Sequence, residues 1–273
     1  MTQNQTGLSE TDLKPVRHLE WFVTPRTIAA LVLREMSTTY GRSPGGYVWA
    51  VLEPVLGITV LTLIFSTGFR SPGLGVSFPL FYATGILPFL LFNDIAGKIA
   101  DSLRFSRALL EYPRVTYLDA LLARFILNAM TQTLVAYLLF TGILVLFETR
   151  TILNFPFIFA GFGMALALGF GVGVFNCYMT TRFALWQRVW AIATRPLFII
   201  SCIFFVFDTI PQPYRDYLWW NPLVHVVGMT RSGFYPYYEA EYVSVIYVML
   251  VSFVLSVAGL MLLNRFHKDI LQL

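Results

Sequence analysis

The chain has 273 residues, 57% of them hydrophobic and only 12% charged, with a mean hydropathy of +0.67. Soluble domains carry about 25% charged residues, so a water-soluble fold is excluded; a bilayer whose hydrocarbon core is about 30 Å thick can solvate this surface in helices of roughly 20 residues. The formal net charge of +4 matters less than where the cations fall.

Residues 1–23 are polar and form a cytoplasmic N-terminus. Residues 1–20 lack the apolar core of a cleavable signal, so the first span is expected to act as its own insertion signal. Thr24-Pro25 pairs a capping residue with proline at the first helical position. The helix that follows, within 24–41, is amphipathic: Ile28, Ala29, Val32, Leu33, Met36 and Tyr40 share one side, and Thr27, Arg34 and Thr38 lie opposite. That pattern suits a helix lying in the membrane interface. Gly41 ends it, and Ser43-Pro44-Gly45-Gly46 makes a turn.

Hydropathy then predicts a single transmembrane unit over 42–265, with six spans at about 47–69, 78–101, 120–147, 155–180, 189–207 and 242–264, and a cytoplasmic tail at 266–273. Between spans five and six, about 210–238, prolines and aromatics crowd together, as in Trp219-Trp220-Asn221-Pro222 and Phe234-Tyr235-Pro236-Tyr237-Tyr238. The apolar stretch inside it, Leu223–Met229, is too short to cross. It reads as a re-entrant helical hairpin, which is tolerated at membrane depth only inside protein or against a water-filled cavity. The fold class is therefore all-α membrane protein. With the N-terminus in the cytoplasm, only Arg70, Arg150, Arg215 and Arg231 of the 19 Lys and Arg residues lie outside. This bias places both termini in the cytoplasm.

Motifs for catalysis are missing. The sequence has no GxxxxGK[ST] phosphate loop, no HExxH and no GxSxG elbow. His18, His225 and His267 are far apart, so no metal site is expected. Cys177 and Cys202 both fall in hydrophobic runs, which argues against a disulfide framework.

Ionisable groups within spans are costly and mark function by default. Glu53, before the kinking Pro54, either faces a translocation path or pairs with a cytoplasmic arginine. Asp94, Lys98 and Asp101 have the spacing of an intrahelical ion-pair ladder, with the polar Asn93 beside them. Trp219, Trp220, Tyr235, Tyr237 and Tyr238 offer flat faces suited to sugar rings, or else form an ordinary interfacial aromatic belt. Arg231 can meet an anionic substrate or pair with Glu239 or Glu241. The loop Arg107–Arg114 is either a short helix offered to a soluble partner or a solvated connector.

Three runs in order resemble the ABC-2 type permeases that export polysaccharides. These are Arg34-Glu-Met-Ser-Thr-Thr-Tyr40-Gly41 with Gly46-Tyr-Val-Trp49-Ala-Val-Leu-Glu53-Pro54; Glu111-Tyr-Pro-Arg-Val-Thr-Tyr-Leu-Asp119; and Trp220-Asn-Pro-Leu-Val-His225 with Arg231-Ser-Gly-Phe234. The likeness is nearest to capsular polysaccharide exporters, then to O-antigen exporters. It implies a homodimer in the bacterial inner membrane that exports a lipid-linked, anionic capsular polysaccharide. It also implies two copies of an ATP-binding subunit, which hold the ATP and magnesium, so that this chain binds no cofactor and is not itself an enzyme. Docking would fall on Arg34, Tyr40, Glu111, Tyr112 and Arg114. The substrate path would draw on Trp49, Glu53, Trp219, Trp220, Arg231, Tyr235 and Tyr237. Periplasmic and outer-membrane export proteins are further candidate partners; nucleic acid is not. Competing readings keep the permease but change the cargo to O-antigen, teichoic acid or a small drug, or replace it with an intramembrane enzyme using Glu53 and Asp94.

Overall fold

The computed structural model describes residues 23–39, 46–107 and 115–272, and every regular element among them is helical. In chain order these are α1 (Val23–Thr39), α2 (Gly46–Gly68), α3 (Phe78–Ala100), α4 (Ser102–Phe105), α5 (Tyr117–Leu146), α6 (Phe155–Arg182), α7 (Trp186–Ile200), a 3-10 turn (Phe207–Thr209), α8 (Tyr214–Trp219), α9 (Pro222–Phe234) and α10 (Val245–Gln272). Tyr40, Glu111, Tyr112 and Arg114, and the turn at 42–45, lie outside the described residues.

Five helices among the described residues are long and apolar enough to cross a membrane: α2, α3, α5, α6 and α10. The segment expected to be span five, 189–207, differs. It folds as the 15-residue α7, about 22 Å long. The helix stops at Ser201, and Cys202 adopts a left-handed conformation, φ 58°, which an L-residue takes only at some cost. The polar segment between spans five and six forms two helices, α8 and α9. Asn221 caps α9 by accepting from the Leu223 amide (3.1 Å), and its own amide donates to the Ile200 carbonyl (3.2 Å). One residue therefore fixes both the end of α7 and the start of α9.

α3 is the central column: 78% of its apolar window is buried, against 11% for α2 and 17% for α10. It packs against α2, α5, α6 and α9, while α6 also holds α10 and α9. The helices approach closely because α6 is stripped of side chains at the contacts, as membrane helix interfaces favour. A Cβ added at Gly173 would lie 2.8 Å from Cβ of Ile99 on α3, and one at Gly171 would strike the Ser252 carbonyl on α10. Gly163, on the same helix, has open space around it.

Gly173→Leu is therefore expected to lower the melting temperature of the purified chain in detergent, with an overpacking cost of about 1–3 kcal/mol. Gly163→Leu should leave it unchanged. Equal melting temperatures would show that the α3–α6 approach is looser than described.

Candidate functional site

Where α1 meets the C-terminal end of α3, the polar groups that matter are buried. Glu35 on α1 and Arg124 on α5 are each 5% exposed, and Arg124 Nε lies 2.9 Å from Glu35 Oε1. Arg124 Nη1 donates to the Lys98 carbonyl near the end of α3 (2.7 Å). The guanidinium also sits 4.1 Å above the ring of Phe105, the last residue of α4. One side chain thus joins four elements. Burial pushes the Glu35 carboxyl up from its usual range, and Arg124 beside it pulls it back. Below the joint, Thr116 and Asp119 close a capping box at the start of α5, which fixes the helix that carries Arg124. Arg34, a predicted docking residue, is exposed next to this joint, 5.9 Å from the Phe105 ring.

About two turns along α2 lies a polar cleft of about 240 Å3, lined by Trp49 and Glu53 on α2, Asn93, Asp94 and Lys98 on α3, and Gln132 on α5. Glu53 is exposed and, among the described residues, has no hydrogen bond or ion pair; the expected partnership with an arginine does not form. The Asp94–Lys98–Asp101 ladder does not form either. Asp94 instead accepts from Gln132 (3.1 Å). Asp101 terminates α3 and stands 4.0 Å from Arg104. The helix ends there, so the i, i+7 partner is no longer on the same face. A carboxylate without a partner among the described residues, a lysine and a 60% exposed tryptophan, Trp49, thus line one polar cleft.

At the other end, the aromatic segment is a knot tied by backbone carbonyls. His225 is fully buried. Its Nε2 lies 2.8 Å from the Trp219 carbonyl and its Nδ1 accepts from the Ser244 amide (3.2 Å). That pattern fixes a neutral ring with the proton on Nε2. Trp219 Nε1 donates to the Tyr242 carbonyl (3.1 Å), and its ring stacks on Tyr247 at 5.2 Å. Tyr235 is 1% exposed, beneath the left-handed Gly75, where a Cβ would fall 2.7 Å from its ring.

Arg231 is 1% exposed. Its Nη1 donates to the Phe205 carbonyl (2.8 Å), its Nη2 to the Ile203 carbonyl (2.9 Å), and its guanidinium lies 4.4 Å from the Phe81 ring. Neither Glu239 nor Glu241 pairs with it. The reason is structural: the irregular segment after α7 leaves the Ile203 and Phe205 carbonyls outside any helix, and buried carbonyls need donors. Of the residues predicted for the path, Trp49, Glu53, Trp220 and Tyr237 are exposed, Trp219 is half-buried, and Arg231 and Tyr235 are enclosed by the chain.

Sequence reasoning missed the Glu35–Arg124 joint. A signal was available: Arg124 falls inside a predicted span, where a cation needs a partner.

A family model described as ABC-2 type transporter matches residues 26–235. The chain is 34% identical over 236 residues to a polysialic acid transport protein, KpsM, of Escherichia coli, covering 86% of this chain and 92% of the relative. It is 24% identical over 249 residues to the capsule polysaccharide export inner-membrane protein CtrC of Neisseria meningitidis (91% and 94% covered). It is 25% identical over 247 residues to the capsule polysaccharide export inner-membrane protein BexB of Haemophilus influenzae (90% and 92% covered).

Two outcomes are expected from this geometry. Removing one partner of the buried pair, by Arg124→Ala, should cost about 3–5 kcal/mol. The double replacement with Glu35→Ala should cost less than the sum of the singles, by about 0.5–3 kcal/mol; thermal melts of the four proteins in one detergent measure both. Arg231→Leu should orphan two carbonyls at about 1–3 kcal/mol each. A wild-type melting point for Arg231→Leu would mean that Ile203 and Phe205 find other donors.

Proposed function

The chain belongs to the ABC-2 type transporter family, and on that footing we propose that it is the transmembrane permease of an exporter. Its cargo is a lipid-linked capsular polysaccharide carried across the bacterial inner membrane, and a separate ATP-binding subunit powers the transport. The observation that carries this reading is the breadth of the match. Relatives named for capsule polysaccharide export or polysialic acid transport align along at least 86% of this chain and 92% of their own. Polysialic acid bears a carboxylate on each sugar, which favours an anionic cargo here too.

In this reading the membrane is crossed six times. α7 with the irregular segment 201–206 supplies the fifth passage, α8 and α9 form the re-entrant hairpin, and the arginine and lysine bias keeps both termini in the cytoplasm. α1 lies in the inner interface. Two copies of the chain enclose the path, which is supported by α7, none of whose residues is buried. Trp49, Glu53, Trp220 and Tyr237 present exposed groups to the cargo, while Trp219, Arg231 and Tyr235 hold the hairpin in shape from behind. Two ATP-binding subunits, carrying ATP and magnesium, dock against Arg34, Tyr40, Glu111, Tyr112 and Arg114. Hydrolysis takes place there and not in this chain. Periplasmic and outer-membrane proteins receive the product.

The joint gives docking a mechanical route. A push on α1 reaches Glu35, and the ion pair passes it to α5 and, through the Lys98 carbonyl, to α3. α3 and α2 line the polar cleft, so a shift of α3 alters that cleft directly.

Affinity purification of the tagged chain from its native membrane should bring down an ATP-binding subunit, and the eluate should hydrolyse ATP. Glu111→Ala should keep the complex together yet uncouple hydrolysis from export. Elution without a nucleotide-binding partner, in detergents gentle enough to hold other ABC complexes, would contradict the permease reading. Normal export by Glu111→Ala would remove that loop from the docking site.

A further inference from the structure

A groove runs along α2 on the side that meets α5. Its first part is the polar cleft of about 240 Å3, with Trp49, Glu53 and Pro54 of α2, Asp94 and Lys98 of α3, and Gln132 of α5 in its wall. Its continuation is a cavity of about 440 Å3, lined by Val55, Ile58 and Leu63 of α2 and by Leu138, Gly142 and Leu146 of α5. Thr59 and Thr62 are the polar residues in that second wall, which is otherwise apolar. The two cavities follow one another along the same helices: Pro54 lines the first and Val55 the second. A Cβ placed on Gly142 would meet no atom within 4 Å, so the groove is open at that point.

Length and charge together define what fits. From Glu53 to Leu63 α2 rises about 15 Å, half of an apolar core about 30 Å thick, so the apolar part matches the depth of one leaflet. The polar end carries both signs. Neither Glu53 nor Lys98 has an ion-pair partner among the described residues. Asp94 accepts from Gln132 through one oxygen (3.1 Å) and keeps the other. The carboxylates call for a cation that donates hydrogen bonds, and the lysine calls for an anion. Trp49, 60% exposed, adds a ring face that favours an ammonium. An apolar helix from a second copy would fill the apolar part but leave these charges without counter-ions. A purely anionic headgroup would meet two carboxylates against one lysine, and like charges repel. A phosphate next to a primary ammonium answers both signs.

We propose that this groove holds a bilayer glycerophospholipid with a primary-amine headgroup, of the phosphatidylethanolamine type. Its ammonium sits against Glu53 and Asp94, its phosphate against Lys98, and one acyl chain lies between α2 and α5. The lipid is a resident of the site and not the cargo, and it fastens to the bundle the least buried of the long helices, α2. The inference rests on the reading above only in taking α2 and α5 to cross the membrane.

The test is native mass spectrometry of the purified full-length chain in detergent, titrated with phosphatidylethanolamine and with phosphatidylglycerol of the same acyl chains. The wild type should bind the amine lipid roughly tenfold more tightly, as expected for one charge-assisted hydrogen bond. Glu53→Gln should erase that preference, and Lys98→Gln should weaken both lipids. Gly142→Phe, which places a ring in open space, should weaken both while leaving the lipid-free melting point unchanged. O-phosphoethanolamine, the headgroup without chains, should not compete at equal concentration. Equal binding of the two lipids by wild type, a preference that survives Glu53→Gln, or wild-type lipid binding by Gly142→Phe would each overturn the site. Loss of a dimer in Gly142→Phe with lipid binding intact would assign the groove to a second copy instead. Co-purification of an ATP-binding subunit is scored separately, so the permease reading can stand while the lipid site falls.

Discussion

A single ion pair sets the arrangement of one end of the helix bundle. Glu35 and Arg124 are both buried, in a region where an unpaired charge is costly, and they meet at 2.9 Å. The pair ties α1 to the bundle. Its value is less in net stability, since a buried pair often gains little over a well-packed apolar contact, than in register. Only one rotation of α1 places Glu35 against Arg124, and that rotation leaves Leu33, 66% exposed, and Met36 on the outside. Because Arg124 also holds the Lys98 carbonyl, the position of α1 and the inner end of α3 are set together.

The opposite end solves a related problem in another way. A helix that stops inside a packed bundle leaves buried carbonyls that need donors. Where α7 ends, Arg231 reaches across from α9 and supplies two donors, while Asn221 supplies a third to Ile200. The hairpin is held by His225 and Trp219 through backbone carbonyls and amides and not through complementary charges. Between the two ends, glycines on α6 let α3 and α10 approach within contact distance. The result is a rigid inner bundle, with α2 and α7 left around its outside and open to lipid, to cargo or to another chain.

Much of this was legible in the sequence. Helix positions followed from apolar run length, and the structured ends of α2, α3 and α6 fall within two residues of the hydropathy boundaries. The early stop of α7 was not legible, because its apolar run continues through Phe207; the break involves a left-handed Cys202 and carbonyls served by an arginine 28 residues away from Ile203. Arg231 shows the limit most clearly. A cation among aromatics on an outward segment is ambiguous in one dimension, since the carbonyls it serves are distant in sequence. Glu53 was the reverse case: its position inside a predicted span marked it as unusual, and it lines a polar cleft without a partner among the described residues. Glu35 and Arg124 lie 89 positions apart, and nothing local in the sequence pairs them.

The family relationship and these contacts support one account, in which force enters at α1, passes through the joint to α3 and α5, and reshapes a path for an acidic glycan. The most direct measurement is ATP-dependent uptake of lipid-linked capsular polysaccharide into inverted membrane vesicles that contain this chain and its ATP-binding subunit. The account predicts uptake that needs both proteins and ATP. Uptake that persists without this chain, or its absence when both proteins, ATP and the lipid-linked cargo are present in sealed vesicles, would contradict it.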